Sequence, residues 1–320
     1  MISVGAKTGR VVVVGSANTD MVLQVERRPE SGETISGSDF QMFAGGKGAN
    51  QAVASARAGA EVTFIGAVGD DAMGESACRG LRDEGIDVSA VAVLGEAASG
   101  VALILVEASG ENSIAVGPGA NAHLTPAYIH AHRDRIAAAD VVLVQLEIPL
   151  ETVLATAELA QSTGTKLILD PAPVAPLPSS LWRLISVLKP NAREAQALSG
   201  VSVRDVSSAE RAARVLIDKG CASVLVTLGA EGAIWVSDSE VLRCSGQASE
   251  ILDTTGAGDA FAGYLGEALA RGGRPEDALI RANVAAGLSV AQVGAQAGVP
   301  DRIQVEATLK ELGLSGGGGA

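Results

Sequence analysis

Residues 11 to 20 read VVVVGSANTD, an unbroken apolar run that ends abruptly in small and polar residues. Four consecutive valines suit a strand buried on both faces, because no face is left over for water. The same kind of run returns in VTFIGA (62–67), VVLVQLE (141–147), KLILD (166–170) and SVLVTLG (223–229). Between the runs, stretches such as GANQAVASARAGA and SSAERAARVLIDKG carry helix formers with small apolar residues at helical spacing. This alternation predicts an α/β fold: a central, mainly parallel sheet with helices on both faces, a three-layer sandwich.

Two segments break the rhythm. Residues 21–43 (MVLQVERRPESGETISGSDFQMF) and 99–117 (SGVALILVEASGENSIAVG) alternate strand-like pieces around Ser-Gly and Ser-Gly-Glu turns. They predict a small β-sheet outside the main one, placed as a lid. Residues 1–312 read as a single domain bearing that lid, and 313–320, which include SGGGGA, as a flexible Gly-rich tail.

At 320 residues and 47% hydrophobic, the chain can bury a sizeable core. Its net charge of −13 argues against broad nucleic-acid binding and against an anionic membrane surface, so an anionic substrate would have to be met by local devices. Cys78, Cys221 and Cys244 are scattered, with no CxxC pair, which favours a reducing compartment. No apolar run reaches membrane-spanning length and no signal peptide is evident, so a cytoplasmic protein is expected.

In open α/β sheets, ligands bind beyond the carboxyl ends of the strands. There the chain is polar: Asn18 and Asp20 follow the first run, Glu147 another, then Asn191 and Glu194 in KPNARE, and Thr227 and Gly229 in TLGAEG. A glycine-rich stretch, GGKGANQA (45–52), precedes a helix and puts Lys47 and Asn50 near its start. It is not a P-loop, because Gly48 follows Lys47 where a Ser or Thr would be needed to meet magnesium. Nor does GAGDAF satisfy GxGxxG, since the third glycine is missing and the segment lies late in the chain, which disfavours a dinucleotide-binding dehydrogenase. That segment belongs to DTTGAGDAF (253–261), whose glycines and helix start suit an anion, with Asp259 beside it as the ionisable group. Read alone, it is either a phosphate site with a built-in base or a tight turn with a helix cap.

Taken together, GSANTD, GGKGANQA, QLE, KPNARE, TLGAEG and DTTGAGDAF, in this order and spacing, closely resemble the ribokinases of the PfkB carbohydrate kinase family. The resemblance runs from about residue 10 to residue 310 and includes both lid segments. It implies ATP-dependent phosphorylation of the 5-hydroxyl of D-ribose, and a lid that clasps a second subunit in a homodimer. Asp259 would take the proton of the attacking hydroxyl, and the N–H groups of Gly256, Ala257 and Gly258 would form an anion hole for the moving phosphoryl group. Asn18, Asp20, Gly46, Lys47, Asn50 and Glu147 would bind the sugar. Thr227, Gly229, Gly232 and Asn283 match positions around the nucleotide. Asn191 and Glu194 would lie near Mg²⁺ and the phosphates, although their spacing fits a helix cap with its capping-box partner equally well. A potassium ion would sit between two loops, held by Asp253 and Thr255 on one and by Ser289, Gln292, Gly294 and Gly298 on the other.

A kinase for another pentose, a hexose or a nucleoside remains open, because one hydroxyl changes few contacts, as does a catalytically silent sugar-binding regulator. His123, His130 and His132 lack the Cys or carboxylate partners of a zinc site, and Trp182 and Trp235 read as packing residues.

Overall fold

The computed structural model describes residues 7–247 and 251–314; of the expected flexible tail (313–320), residues 315–320 lie outside them. In chain order the strands are β1 (Arg10–Val14), β2 (Asn18–Val25), β3 (Gly37–Gly45), β4 (Glu61–Gly69), β5 (Asp87–Leu94), β6 (Gly100–Glu107), β7 (Asn112–Gly117), β8 (Val141–Gln145), β9 (Lys166–Asp170), β10 (Val187–Leu188), β11 (Ser223–Thr227), β12 (Ala233–Ser237) and β13 (Val241–Cys244). Nine of them form the main sheet in the order β13-β12-β11-β10-β9-β8-β1-β4-β5. The strands from β5 across to β11 run parallel, β12 is antiparallel to β11, and β13 is antiparallel to β12.

The valine run behaves as its composition demands. Val11 and Val13 join Phe64 and Leu143 in the core on one face, while Val12 and Val14 join Ile65 and Val144 on the other. Helices Lys47–Ala58, Ala257–Ala270 and Pro275–Ser289 cover the first face, and Leu150–Thr163 and Val206–Asp218 cover the second. From β1 the chain winds outward through β4 to β5, then returns to lay β8 against the opposite edge of β1 and winds the other way. The strand order therefore reverses between β1 and β8, and a crevice opens there at the carboxyl ends of both strands.

Two of the covering helices meet closely at a glycine. A Cβ added to Gly263 would lie 2.4 Å from the Cβ of Ala54 and 2.7 Å from the backbone nitrogen of Ser55. Only a residue without a side chain lets Ala257–Ala270 approach Lys47–Ala58 this closely.

The small sheet has the order β3-β2-β6-β7, with β2 and β6 parallel and a hairpin on each side. Its pairing runs beyond the predicted start of the first segment, from Asn18 opposite Gly45 and Gly100. Asn18 and Asp20 thus stand on a strand of the small sheet. Strands β12 and β13, with β5 and the two-residue β10, are additional to the apolar runs quoted above; β5 and β13 are the edges of the main sheet. Among the described residues no helix is long and apolar enough to cross a membrane, and all three cysteines are free.

Candidate active site

The crevice between β1 and β8 is bridged by side chains. The Ser16 hydroxyl donates to Glu147 Oε2 at 2.5 Å, and the same oxygen accepts the Lys47 backbone N–H at 3.1 Å. Asn121, in the turn after β7, donates to Asn18 Oδ1 at 2.8 Å and accepts the Ala17 N–H at 3.0 Å. This fixes the start of the small sheet against the main body. Gly46 takes φ 88° as the cap of helix Lys47–Ala58, and a Cβ there would meet Asn18 N at 2.7 Å. The two polar loops consequently pack without side chains between them.

Asp259 lies in the first turn of helix Ala257–Ala270, behind Gly256 at φ 78°, and is buried. Its Oδ2 accepts from Asn50 Nδ2 and its Oδ1 from Gln51 Nε2, both at 3.0 Å. Gln296 in turn donates to Asn50 Oδ1 at 3.1 Å. Of the three N–H groups in the glycine turn, that of Ala257 makes a long 3.3 Å bond to the Thr254 carbonyl. Those of Gly256 and Gly258 have no acceptor among the described residues.

On the far side of Gly258 is a cavity of about 660 Å³, lined by Asn191, Thr227, Gly229, Gly232, Gly258 and Asn283 among others. That volume suits a ligand of nucleotide size. The helix start therefore divides two compartments, with Asp259 facing Lys47 and Asn50 and Gly258 facing the cavity. Asn283 is buried in helix Pro275–Ser289, where its amide donates to the Ser245 carbonyl at 2.7 Å and braces one wall. Asn191 and Glu194 form a complete capping box, and Asn191 Nδ2 also donates to Glu194 Oε1 at 2.8 Å. Their first task is structural, and they perform it on the cavity's edge.

The two loops expected to flank a cation are joined. Asp253 Oδ2 accepts the Gly294 N–H at 2.9 Å, and its Oδ1 accepts the Thr255 N–H at 2.9 Å. The carbonyl oxygens of Ser289, Gly294 and Gln292 converge on one point, lying 2.7, 3.0 and 3.4 Å from where a Cβ of Gly298 would be. Among the described residues no cluster of three His, Cys, Asp or Glu side chains could hold a metal.

Residues 8–302 match the model of the pfkB family of carbohydrate kinases. The chain belongs to that family. A ribokinase of Haemophilus influenzae is 40% identical over 292 residues, 91% of this chain and 95% of the relative. A solved Arabidopsis thaliana ribokinase, complexed with ribose and ATP, matches with a TM-score of 0.91 at 34% identity, covering 95% of this chain and 99% of that one. A deoxyribokinase of Salmonella typhi is 34% identical over 291 residues, 91% of this chain and 95% of the relative.

Around Asp259, this pfkB-family chain carries buried polar groups that the motifs did not single out. Gln51, Gln145, Asp170 and Lys189 are all buried. Asp170 and Lys189 make an ion pair at 3.3 Å, at the ends of β9 and β10. A signal existed: both end strand runs, as Glu147 nearly does, and Gln51 sits inside GGKGANQA. What was lacking was the knowledge that they face each other.

Charges in this site perturb one another. Burial, followed by the nearby Glu147 and Asp259, pushes the Asp20 carboxyl up to about 6. Burial also raises Asp259, against the pull of the Lys47 ammonium and with the push of Asp170. Asp259 is in turn the main reason that Lys47 is held above the ordinary lysine range. Burial raises Glu194, with Asp170 adding to it.

For Asp20 the sign of the stability effect follows directly. Its folded value of about 6 lies above the unfolded value near 4, so the native state holds the proton more tightly between them. Keeping Asp20 in this half-buried position costs stability above about pH 6, and that cost fades as the pH falls towards about 4. Asp20→Asn is expected to raise the Tm of the ligand-free protein by a few degrees at about pH 7.5, with the gain vanishing near about pH 4. Calorimetry across that range checks it, and a pH-independent difference would contradict a half-buried, titrating Asp20.

Proposed function

We propose that this chain is a ribokinase, transferring the terminal phosphoryl group of ATP to the 5-hydroxyl of D-ribose to give D-ribose 5-phosphate and ADP. The observation that carries this reading is the position of Asp259. It is a buried carboxylate on the wall between a polar crevice and a nucleotide-sized cavity, directly after a glycine turn with unspent N–H groups. The likeness to ribokinases over nine-tenths of the chain supports the same substrate.

In the mechanism, the crevice side holds the sugar. Asn18, Asp20, Asn50 and Glu147 offer the carboxylates and amides that hydroxyl groups need, with Lys47 balancing their charge and Gly46 letting the backbone close in. Asp259 accepts the proton of the 5-hydroxyl as its oxygen bonds to the terminal phosphorus and the bond to ADP breaks. A base raised by burial is better matched to that proton than a free aspartate. The N–H groups of Gly256, Ala257 and Gly258 and the positive end of the helix meet the charge on the moving phosphoryl group. Thr227, Gly229, Gly232 and Asn283 shape the nucleotide cavity.

Magnesium, when bound with ATP, neutralises phosphate charge. Asn191 and Glu194 fit it through water, because their side-chain atoms are already bonded to one another. For potassium, the converging carbonyls of Ser289, Gln292 and Gly294 around Gly298 have the right chemistry. Asp253 and Thr255 complete that set, beside the glycine turn that the ion would order. The small sheet acts as the lid of a single kinase domain. It exposes Phe40, Met42 and Leu103 on one face and Ile114 and Val116 on the other. Apolar groups on both faces of a thin sheet favour a covering partner, and a second copy of this chain, meeting it lid to lid in a homodimer, fits. The free cysteines suit the cytoplasm, where ATP is also at hand.

Three outcomes are expected. Asp259→Asn or Asp259→Ala should lower kcat by roughly 10²- to 10⁴-fold with ATP binding retained, measured as ADP release over ribose, deoxyribose, fructose and nucleosides. Near-normal turnover would remove Asp259 from the mechanism, and another sugar outpacing ribose would reassign the substrate. Potassium should raise the rate well above that in sodium or a bulky organic cation at matched ionic strength; equal rates would dispose of the cation site. Sedimentation at micromolar concentration should give a dimer, and a monomer alone would count against lid-to-lid assembly.

A further inference from the structure

Behind Asp259 runs a buried polar chain to which none of the substrate roles above gives a task. Gln51 has no exposed surface, and its one amide nitrogen donates to two carboxylates, Asp259 Oδ1 at 3.0 Å and Asp170 Oδ2 at 2.9 Å. Its Oε1 accepts from Gln145 Nε2 at 2.6 Å. Gln145, also fully buried at the end of β8, leaves its own Oε1 without a partner among the described residues.

That orphan oxygen is informative. If either amide were turned over, oxygen would face oxygen, at Gln145 or at the two aspartates, so the orientation of Gln51 is dictated by its neighbours. A fully buried acceptor left unsatisfied is a cost that an ordinary core would remove by substituting an apolar residue. Here it is retained where it points the Gln51 amide at the carboxylates. The Asp170–Lys189 pair then anchors the far end of the chain.

We infer that Gln51, oriented by Gln145, is a positioning residue for the base: its amide holds Asp259 Oδ1 in place. This inference rests on the reading of Asp259 as the base. The charged groups facing Asp259 are Lys47 from helix Lys47–Ala58, Asp170 at the end of β9, and Asp20 from β2. Lys189 lies next to Gly258, with its Nζ 3.8 Å from where a Cβ on that glycine would be, and Glu147 stands beyond Asp20. A donor to the ionised carboxylate favours ionisation, and a negative neighbour opposes it. Removing the donor and removing the neighbour should therefore move the pH profile in opposite directions.

The test is kinetic, on the full chain. Gln51→Met, similar in shape but without donors, should lower kcat by about 10- to 100-fold, keep both KM values within about twofold, and move the acid limb of the kcat profile to higher pH. Asp170→Asn should move that limb to lower pH. Because Asp170→Asn strands Lys189 and could impair folding, Gln145→Met provides a second line. It removes the orphan oxygen and touches neither carboxylate, so Tm should hold or rise while kcat falls by about 3- to 10-fold. Unchanged kcat and an unmoved acid limb in Gln51→Met would overturn the inference while leaving Asp259 as the base. Normal turnover in Asp259→Asn would instead overturn the reading on which it rests.

Discussion

The contact on which the site depends is the seam between helices Lys47–Ala58 and Ala257–Ala270. Gly263 lets the two backbones meet, and at the open end of that seam Asp259 receives hydrogen bonds from Asn50 and Gln51 at 3.0 Å. Bonds of this length tolerate little displacement. A single methyl group at Gly263 would press on Ala54 and Ser55 and separate the helices by enough to strain both bonds. Each helix is entered through a glycine with positive φ, Gly46 and Gly256. The seam thus also aligns the two glycine loops whose backbones approach the ligands.

Electrostatics around the seam answers a problem set by composition. A chain with a net charge of −13 repels anions in general, yet a pfkB-family kinase handles a nucleotide. The structure concentrates its positive character locally, in the half-buried Lys47, the buried Lys189 and the start of helix Ala257–Ala270. Facing them on the crevice side are Asp20, Glu147 and Asp259, a set suited to neutral hydroxyls and poorly suited to a second phosphate. Lys47, on the crevice side with them, balances part of that negative charge.

The small sheet is tied to this arrangement at its root. Only Gly15, Ser16 and Ala17 separate β1 from β2, and Asn121, returning after β7, bonds both Ala17 and Asn18. A Cβ on Gly100 would collide with the same two amides, at 2.3 Å from each. Movement of the sheet is thereby referred to the residues that begin the crevice, while its far strands stay exposed.

Much of this was legible in the order of residues. Strands buried on both faces must be apolar throughout, so the valine and leucine runs announced the parallel sheet, and the glycine motifs announced loops where a side chain would collide. The capping box of Asn191 and Glu194 was equally legible, because its partners lie three residues apart. The edge strands β5 and β13 were not, since edge positions need no continuous apolar run, and the four apolar residues of β12, AIWV, are too few to be told from a helix segment by periodicity. Gln51, Gln145, Asp170 and Lys189 also escaped notice. A buried amide or ammonium reads in sequence like any exposed one, and what distinguishes it is the group opposite. Gln51 stands 208 residues from Asp259 and 119 from Asp170. The sequence by itself determined which elements form and which residue types end them; only the packing of the two helices over the β1–β8 crevice decided which of those ends meet, because hydrogen bonding is set by distance in space and leaves no periodic trace along the chain.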